Sequence, residues 1–168
     1  MPDMLAKLYT LPPLEPALAR CAAHGISIKR AIMPELERVA GFVAEHFGTG
    51  WVCEARGCFT NHPATIFVAT RGQEILGFAC YDTTCKDFFG PTGVAKKERG
   101  QGIGAALLLA CLHDMRAQGY GYAIIGAVGP AEFYTKACGA TVIEDSWPGV
   151  YEGLLGYAGD HWAEEEEE

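Results

Sequence analysis

Apolar residues recur along the chain with two different periods, and the switches between them predict the element order. From 26 to 31, Ile26 and Ile28 alternate with Ser27 and Lys29, as in a strand with one buried face. Pro34 suits a first helical turn, and Leu36, Val39, Ala40, Val43 and Phe47 then return at helical spacing. Residues 51–61 read as a short helix. Two strands, 65–70 and 75–82, flank Arg71-Gly72-Gln73-Glu74, a hairpin signal with glycine in the turn. A third strand covers 88–95. After a polar, glycine-rich loop at 96–104, the spacing of Ile103, Leu107, Cys111 and Met115, with Ala106 and Ala110 on the same face, predicts a helix over 104–118. A strand at 122–128, a short helix at 131–138 and a strand at 141–143, continued after Trp147-Pro148-Gly149 into 150–155, complete the pattern. Ahead of all this, residues 1–25 read as turn-rich, with one helix at 17–24 closed by Gly25. Three consecutive strands with one strand–helix–strand crossover at 88–128 make the fold class α+β.

Composition changes this picture little. With 168 residues, 49% hydrophobic and 20% charged, the chain fits one soluble domain. No apolar run approaches the ~18 residues of a membrane span, and the first residues do not lead one to expect a secretory signal. The net charge of −8 is concentrated in Glu164 to Glu168, a solvated run. Without a basic stripe, nucleic acid is not an expected partner. Seven cysteines contain no C-x-x-C pair and no neighbouring His pair, so no structural metal is expected and the thiols suit a reducing cytoplasm.

Arg99-Gly100-Gln101-Gly102-Ile103-Gly104 leads from a strand into the strongest helix. Glycines there let backbone N–H groups converge and admit a close ligand, and the helix N-terminus adds its unpaired donors. A pyrophosphate is the expected ligand. A nucleotide P-loop is excluded because no Lys-Ser/Thr follows the glycines. A dinucleotide fingerprint fits Gly100-x-Gly102-x-x-Ala105 loosely, but the next strand ends at Val128 without the ribose carboxylate.

The stretch from Val94 to Leu107 resembles the acetyl-CoA loop of the GNAT acyltransferases, patterned Q/R-x-x-G-x-G/A, with Arg99, Gly102 and Gly104 at the fixed positions. A second segment, Glu132-Phe133-Tyr134-Thr135-Lys136-Ala137-Cys138-Gly139-Ala140, is similar to that family's aromatic-Tyr signature. The resemblance implies a mixed, mostly antiparallel sheet flanked by helices, with a splayed strand pair holding CoA. It implies backbone contacts from Val94 and Ala95 to the pantetheine arm. Arg99, Gly100, Gln101, Gly102, Ile103, Gly104 and Ala105 would meet the pyrophosphate. Tyr134 would sit beside the sulfur as the acid for the departing thiolate. Ala127 departs from the pattern, since many relatives carry Asn seven residues before the tyrosine. The implied division is an N-terminal helical extension (1–25), an acyltransferase domain (26–160) and an acidic tail (161–168).

The implied reaction moves an acetyl group from acetyl-CoA, a co-substrate, to a primary amine of a small molecule or peptide in a ternary complex, without metal. Family habit implies a homodimer. The strand before the loop carries no carboxylate to serve as base. Asp82, at the end of the preceding strand, is the first candidate, with Glu54, His62 or a water chain as alternatives. A non-catalytic acyl-CoA-binding module is the competing reading.

Overall fold

The hairpin expected around Gly72 forms the middle of the fold. A computed structural model describes residues 1–156. Its strands are β1 (Met4–Lys7), β2 (Ser27–Arg30), β3 (Ile66–Arg71), β4 (Glu74–Tyr81), β5 (Phe88–Val94), β6 (Tyr122–Ile125) and β7 (Thr141–Val142). Its α-helices are α1 (Glu15–Ala23), α2 (Leu36–Phe47), α3 (Thr49–Cys58), α4 (Ile103–Ala117) and α5 (Ala131–Cys138). The strands form a seven-stranded sheet in the order β2-β3-β4-β5-β6-β1-β7. All neighbours are antiparallel except β5 and β6. That parallel pair is the expected crossover through α4.

Side-chain alternation along β4 divides the interior. Ala79 and Tyr81 join a core with α1 and α4, while Phe78 and Cys80 join a second core with α2 and α3. The expected apolar stripe on α4 is broader than its spacing suggests. Leu108, Leu109 and Leu112 are buried as well. They can be, because α1 packs against both α4 and β2 and shares their core. Among the described residues no helix is long and apolar enough to cross a membrane.

Two regions differ from expectation. Within the expected N-terminal helical extension, Met4–Lys7 forms a strand that pairs with both β6 and β7 inside the sheet. Met4, Ala6 and Leu8 are fully buried. Their period of two is legible in the sequence, but so short a run competes poorly with the turn residues around it. The strand expected at 150–155 is absent: Gly149–Tyr151 is a 3-10 turn. Helix α3 follows α2 directly at Gly48, whose φ of 87° lets the chain change direction between them. The acidic tail lies outside the described residues.

Strand β5 is central in the sheet but incomplete on one edge. Its parallel pairing with β6 covers Phe88↔Ile124 and Phe89↔Ile125 and extends no further. Beyond Phe89 only β4 accompanies it, and Gly90–Val94 stays half-buried. The chain therefore opens a wedge in its own sheet. Phe47 closes the wedge from the α2 side: a Cβ on Gly93 would lie 2.5 Å from its ring. Gly93→Ala is expected to cost about 1–3 kcal/mol through this overpacking. A lowered urea midpoint with an unchanged m-value would register it.

Candidate active site

The wedge leads into a cavity of about 620 Å³. Gly90, Pro91 and Thr92 of β5 form one wall, and Ile125 to Pro130 with Tyr134 form the other. The α2–α3 corner closes the far end with His46, Phe47, Trp51 and Glu54, joined by Thr84 and Tyr151. Such a volume is ordinary for a small-molecule site.

The backbone of β5 supplies polar groups at the wedge. Ala95 N–H donates to the Leu76 carbonyl at 2.9 Å, toward β4. Strand polarity alternates, so the polar groups of Val94 and Thr92 turn to the open edge. There the Val94 carbonyl accepts Arg99 Nε at 3.3 Å. Ala95 itself is not free for the expected pantetheine contact. Its carbonyl accepts Glu98 N–H at 2.8 Å, and its side chain is buried among α2 and α3 residues.

The loop before α4 has the conformation that its glycines suggest. Gly100 and Gly102 hold φ of 86° and 84°, the left-handed region in which side chains are strained. Ala106 N–H makes the first helical bond, to Gly102 at 3.1 Å. The amides of Ile103, Gly104 and Ala105 precede it and have no partner within the helix. The Gln101 side chain is engaged elsewhere, donating to the Glu98 carboxylate at 2.9 Å and accepting from Arg71 at 3.2 Å. The Ile103 side chain is core, which leaves its amide as the group facing a ligand. One cation was missed in the sequence. Arg20 of α1 lies 4.0 Å from the position of a Gly102 Cβ, a proximity set by the packing of α1 over α4.

Tyr134 reaches the cavity from α5 with its ring edge-on to Phe89 and Phe133. Burial, with a smaller contribution from Cys138, pushes its phenol up to about 12. The hydroxyl is therefore neutral at physiological pH and available as a donor.

The structure separates the three base candidates. Asp82 does not line the cavity, and its side chain is only 6% exposed. One oxygen accepts Asp87 N–H at 2.7 Å, while the other accepts Tyr120 O–H at 2.6 Å and pairs with Lys86 at 3.2 Å. Asp82, the first base candidate from the sequence, thus organises the β4–β5 turn, with its own φ at 52°. His62 is exposed and also lies off the cavity. Glu54 lines it, accepts a hydrogen bond from the Thr84 hydroxyl, and has its carboxyl raised by burial. Thr83 fixes the same turn of α3 by donating to the Glu54 carbonyl at 2.6 Å.

Beyond Ile125 the wall bends through Ala127, where φ is 45°. An asparagine tolerates that conformation better than alanine, and Asp3 compensates by accepting Ala127 N–H at 2.8 Å. Tyr151 covers Gly126 so closely that a Cβ there would lie 2.8 Å from its hydroxyl. Burial first, then the Glu54 carboxylate, pushes the Tyr151 phenol up to about 12. Among the described residues no three His, Cys, Asp or Glu side chains gather as metal ligands would.

Residues 62–139, from the approach to β3 through α5, match the family model described as the acetyltransferase (GNAT) domain. The match covers a little under half of the chain. Solved structures agree in fold. A GCN5-related glucosamine N-acetyltransferase region of a fungal multi-domain β-N-acetylglucosaminidase superposes with a TM-score of 0.70 at 16% identity, over 84% of this chain and 19% of that one. A GCN5-related N-acetyltransferase from Sphaerobacter thermophilus gives 0.65 at 22%, over 84% and 48%. A GNAT-family acetyltransferase from Colwellia psychrerythraea gives 0.59 at 18%, over 84% and 52%. The chain thus spans about half or less of the length of these relatives. No curated protein matches it significantly in sequence. The matched segment of the GNAT domain contains the wedge, the glycine loop and Tyr134. Phe47, Trp51 and Glu54 precede it.

Proposed function

We propose that the protein transfers the acetyl group of acetyl-CoA to a primary amine by direct attack in a ternary complex. The observation that carries this reading is one cavity that joins the open edge of β5 to Tyr134 on one side and Glu54 on the other. The fit to the co-substrate rests on two left-handed glycines, with no heavy atom within 4 Å of a Cβ on Gly100. The free first-turn amides of α4 would hold the pyrophosphate, joined by Arg99 and Arg20. The outward polar groups of Val94 and Thr92 would hold the pantetheine arm as a missing strand would.

Acetyl-CoA supplies an acetyl group already activated as a thioester. Glu54 takes the proton from the acceptor ammonium, so that the nitrogen lone pair can form the new C–N bond. Its burial favours this, because a carboxyl raised toward the working pH is a stronger base than a solvated one. Backbone N–H groups at the open edge of β5 stabilise charge on the carbonyl oxygen. The Tyr134 hydroxyl donates to the sulfur as the C–S bond breaks. A phenol near 12 against a thiol near ~8.5 makes complete transfer uphill by about 5 kcal/mol. Tyr134 is therefore a hydrogen-bond donor to the developing thiolate, a weaker role than the acid expected from sequence, and water completes the protonation on release.

Tyr134→Phe removes one hydrogen bond to a charged atom and is expected to lower kcat by ~10–100-fold. The Kd for acetyl-CoA should stay within about twofold. Calorimetry with acetyl-CoA and a thiol-release assay on the same sample test the proposal. Binding without turnover of any amine would support the non-catalytic module instead.

A further inference from the structure

The acceptor end of the cavity is chemically one-sided. Its walls are aromatic: Phe47 and Trp51 stack with centroids 5.4 Å apart at 29°, and Tyr151 lines the same cavity. His46 belongs to the same cluster, with its ring 4.6 Å from that of Phe42. Among the described residues Glu54 is the one carboxylate lining the cavity and no lysine or arginine lines it, while Met1 and His46 do. The remaining polar side chains at this end, among the described residues, are the His46 imidazole and the hydroxyls of Thr49, Thr84 and Tyr151.

A partner for this surface must carry one positive charge and little else that needs water. An ammonium placed at Glu54 is compensated there, and an apolar body covers Trp51 and Phe47. A carboxylate or phosphate on the acceptor would meet no lysine or arginine side chain among the described residues, only His46 and Met1. A second ammonium would lack a second anion, and the ring hydroxyls of a sugar would exceed the polar partners available. We infer that the acceptor is a small lipophilic monoamine, a primary amine on an aromatic or branched aliphatic body. This rests on the acetyl-transfer reading and adds the substrate class to it.

Phenethylamine is the probe, and each rival differs in one property. Phenylalanine adds a carboxylate to the same body, spermidine adds further amines, glucosamine replaces the apolar body with hydroxyls, and a lysine-containing peptide brings a polymer. The full chain with saturating acetyl-CoA is expected to use phenethylamine with a kcat/KM at least tenfold above each rival. Trp51→Ala should raise its KM at least tenfold, and Trp51→Phe should restore most of the loss. The Kd for acetyl-CoA, measured by calorimetry on each variant, should stay within twofold. The Trp51→Phe variant also serves if the alanine variant fails to fold, by leaving a smaller stacking face and a KM between parent and loss. A ratio below ten for any rival overturns the inference. Acetyl-CoA binding without phenethylamine turnover also overturns it while leaving the transfer reading intact. Absence of acetyl-CoA binding removes both.

Discussion

Glu54→Gln is expected to lower kcat by ~10²–10³-fold near neutral pH, the usual worth of a general base. The parent rate should rise with pH as Glu54 loses its proton, and this rise should be missing from the variant. Glutamine keeps the shape and still accepts from Thr84, so acetyl-CoA binding should not change. Stability should move the other way. Burial raises the Glu54 carboxyl in the folded state, so the folded chain holds that proton more tightly than the unfolded chain does. Its charged form therefore opposes folding progressively as pH rises through the unfolded value of ~4.3 and then the folded one. The variant carries no such charge. Its Tm should exceed the parent's at pH 7, and the difference should vanish below about pH 4. Asp82→Asn offers the contrast: it weakens bonds to Tyr120 and Lys86, so it should lower Tm and leave the shape of the pH–rate curve alone. A parental kcat in Glu54→Gln would move the base elsewhere.

Gly102→Glu is expected to weaken acetyl-CoA binding by ~100-fold or more, read by calorimetry. Two effects combine. The left-handed φ of 84° strains any side chain by about 1 kcal/mol, which loosens the loop that aims the α4 amides. The new carboxylate then stands where the pyrophosphate charge should lie, and repels it in a site built to attract anions. The fold itself should survive, because a Cβ at this position meets nothing closer than Arg20 at 4.0 Å. Far-ultraviolet circular dichroism should be unchanged. If the variant binds as tightly as the parent, the loop is a turn and the co-substrate assignment fails with it.

The two halves of the cavity differ in how much of them is legible in the chain. Val94, Arg99, Gly102, Gly104 and Tyr134 stand in contiguous segments whose chemistry depends on local backbone: φ values, helix start, strand polarity. Local patterns also predict the hairpin around Gly72 and the helix that follows the loop. Ala95 and Asp82 show the limit of such reasoning. Both sit beside the site in sequence, yet Ala95 spends its polar groups on Leu76 and Glu98, and Asp82 spends its own on Tyr120, Lys86 and Asp87. Which groups remain free is a question of partners, and those partners come from other elements.

The sequence by itself determined the α+β order, the crossover between β5 and β6, the glycine loop and the tyrosine beyond it. These follow from periodicity and from single-residue conformational preference, which act over a few positions. Tertiary structure alone decided the rest. It placed Met4–Lys7 inside the sheet, because burying Met4, Ala6 and Leu8 requires β6 and β7 more than a hundred residues away. It ended the β5–β6 pairing after Phe89, because the chain beyond Ile125 turns at Ala127 toward Asp3. It directed the Glu54 carboxylate into the cavity and surrounded that of Asp82 with donors. In each case the deciding energy is burial or pairing between segments distant in sequence, and no local pattern encodes it.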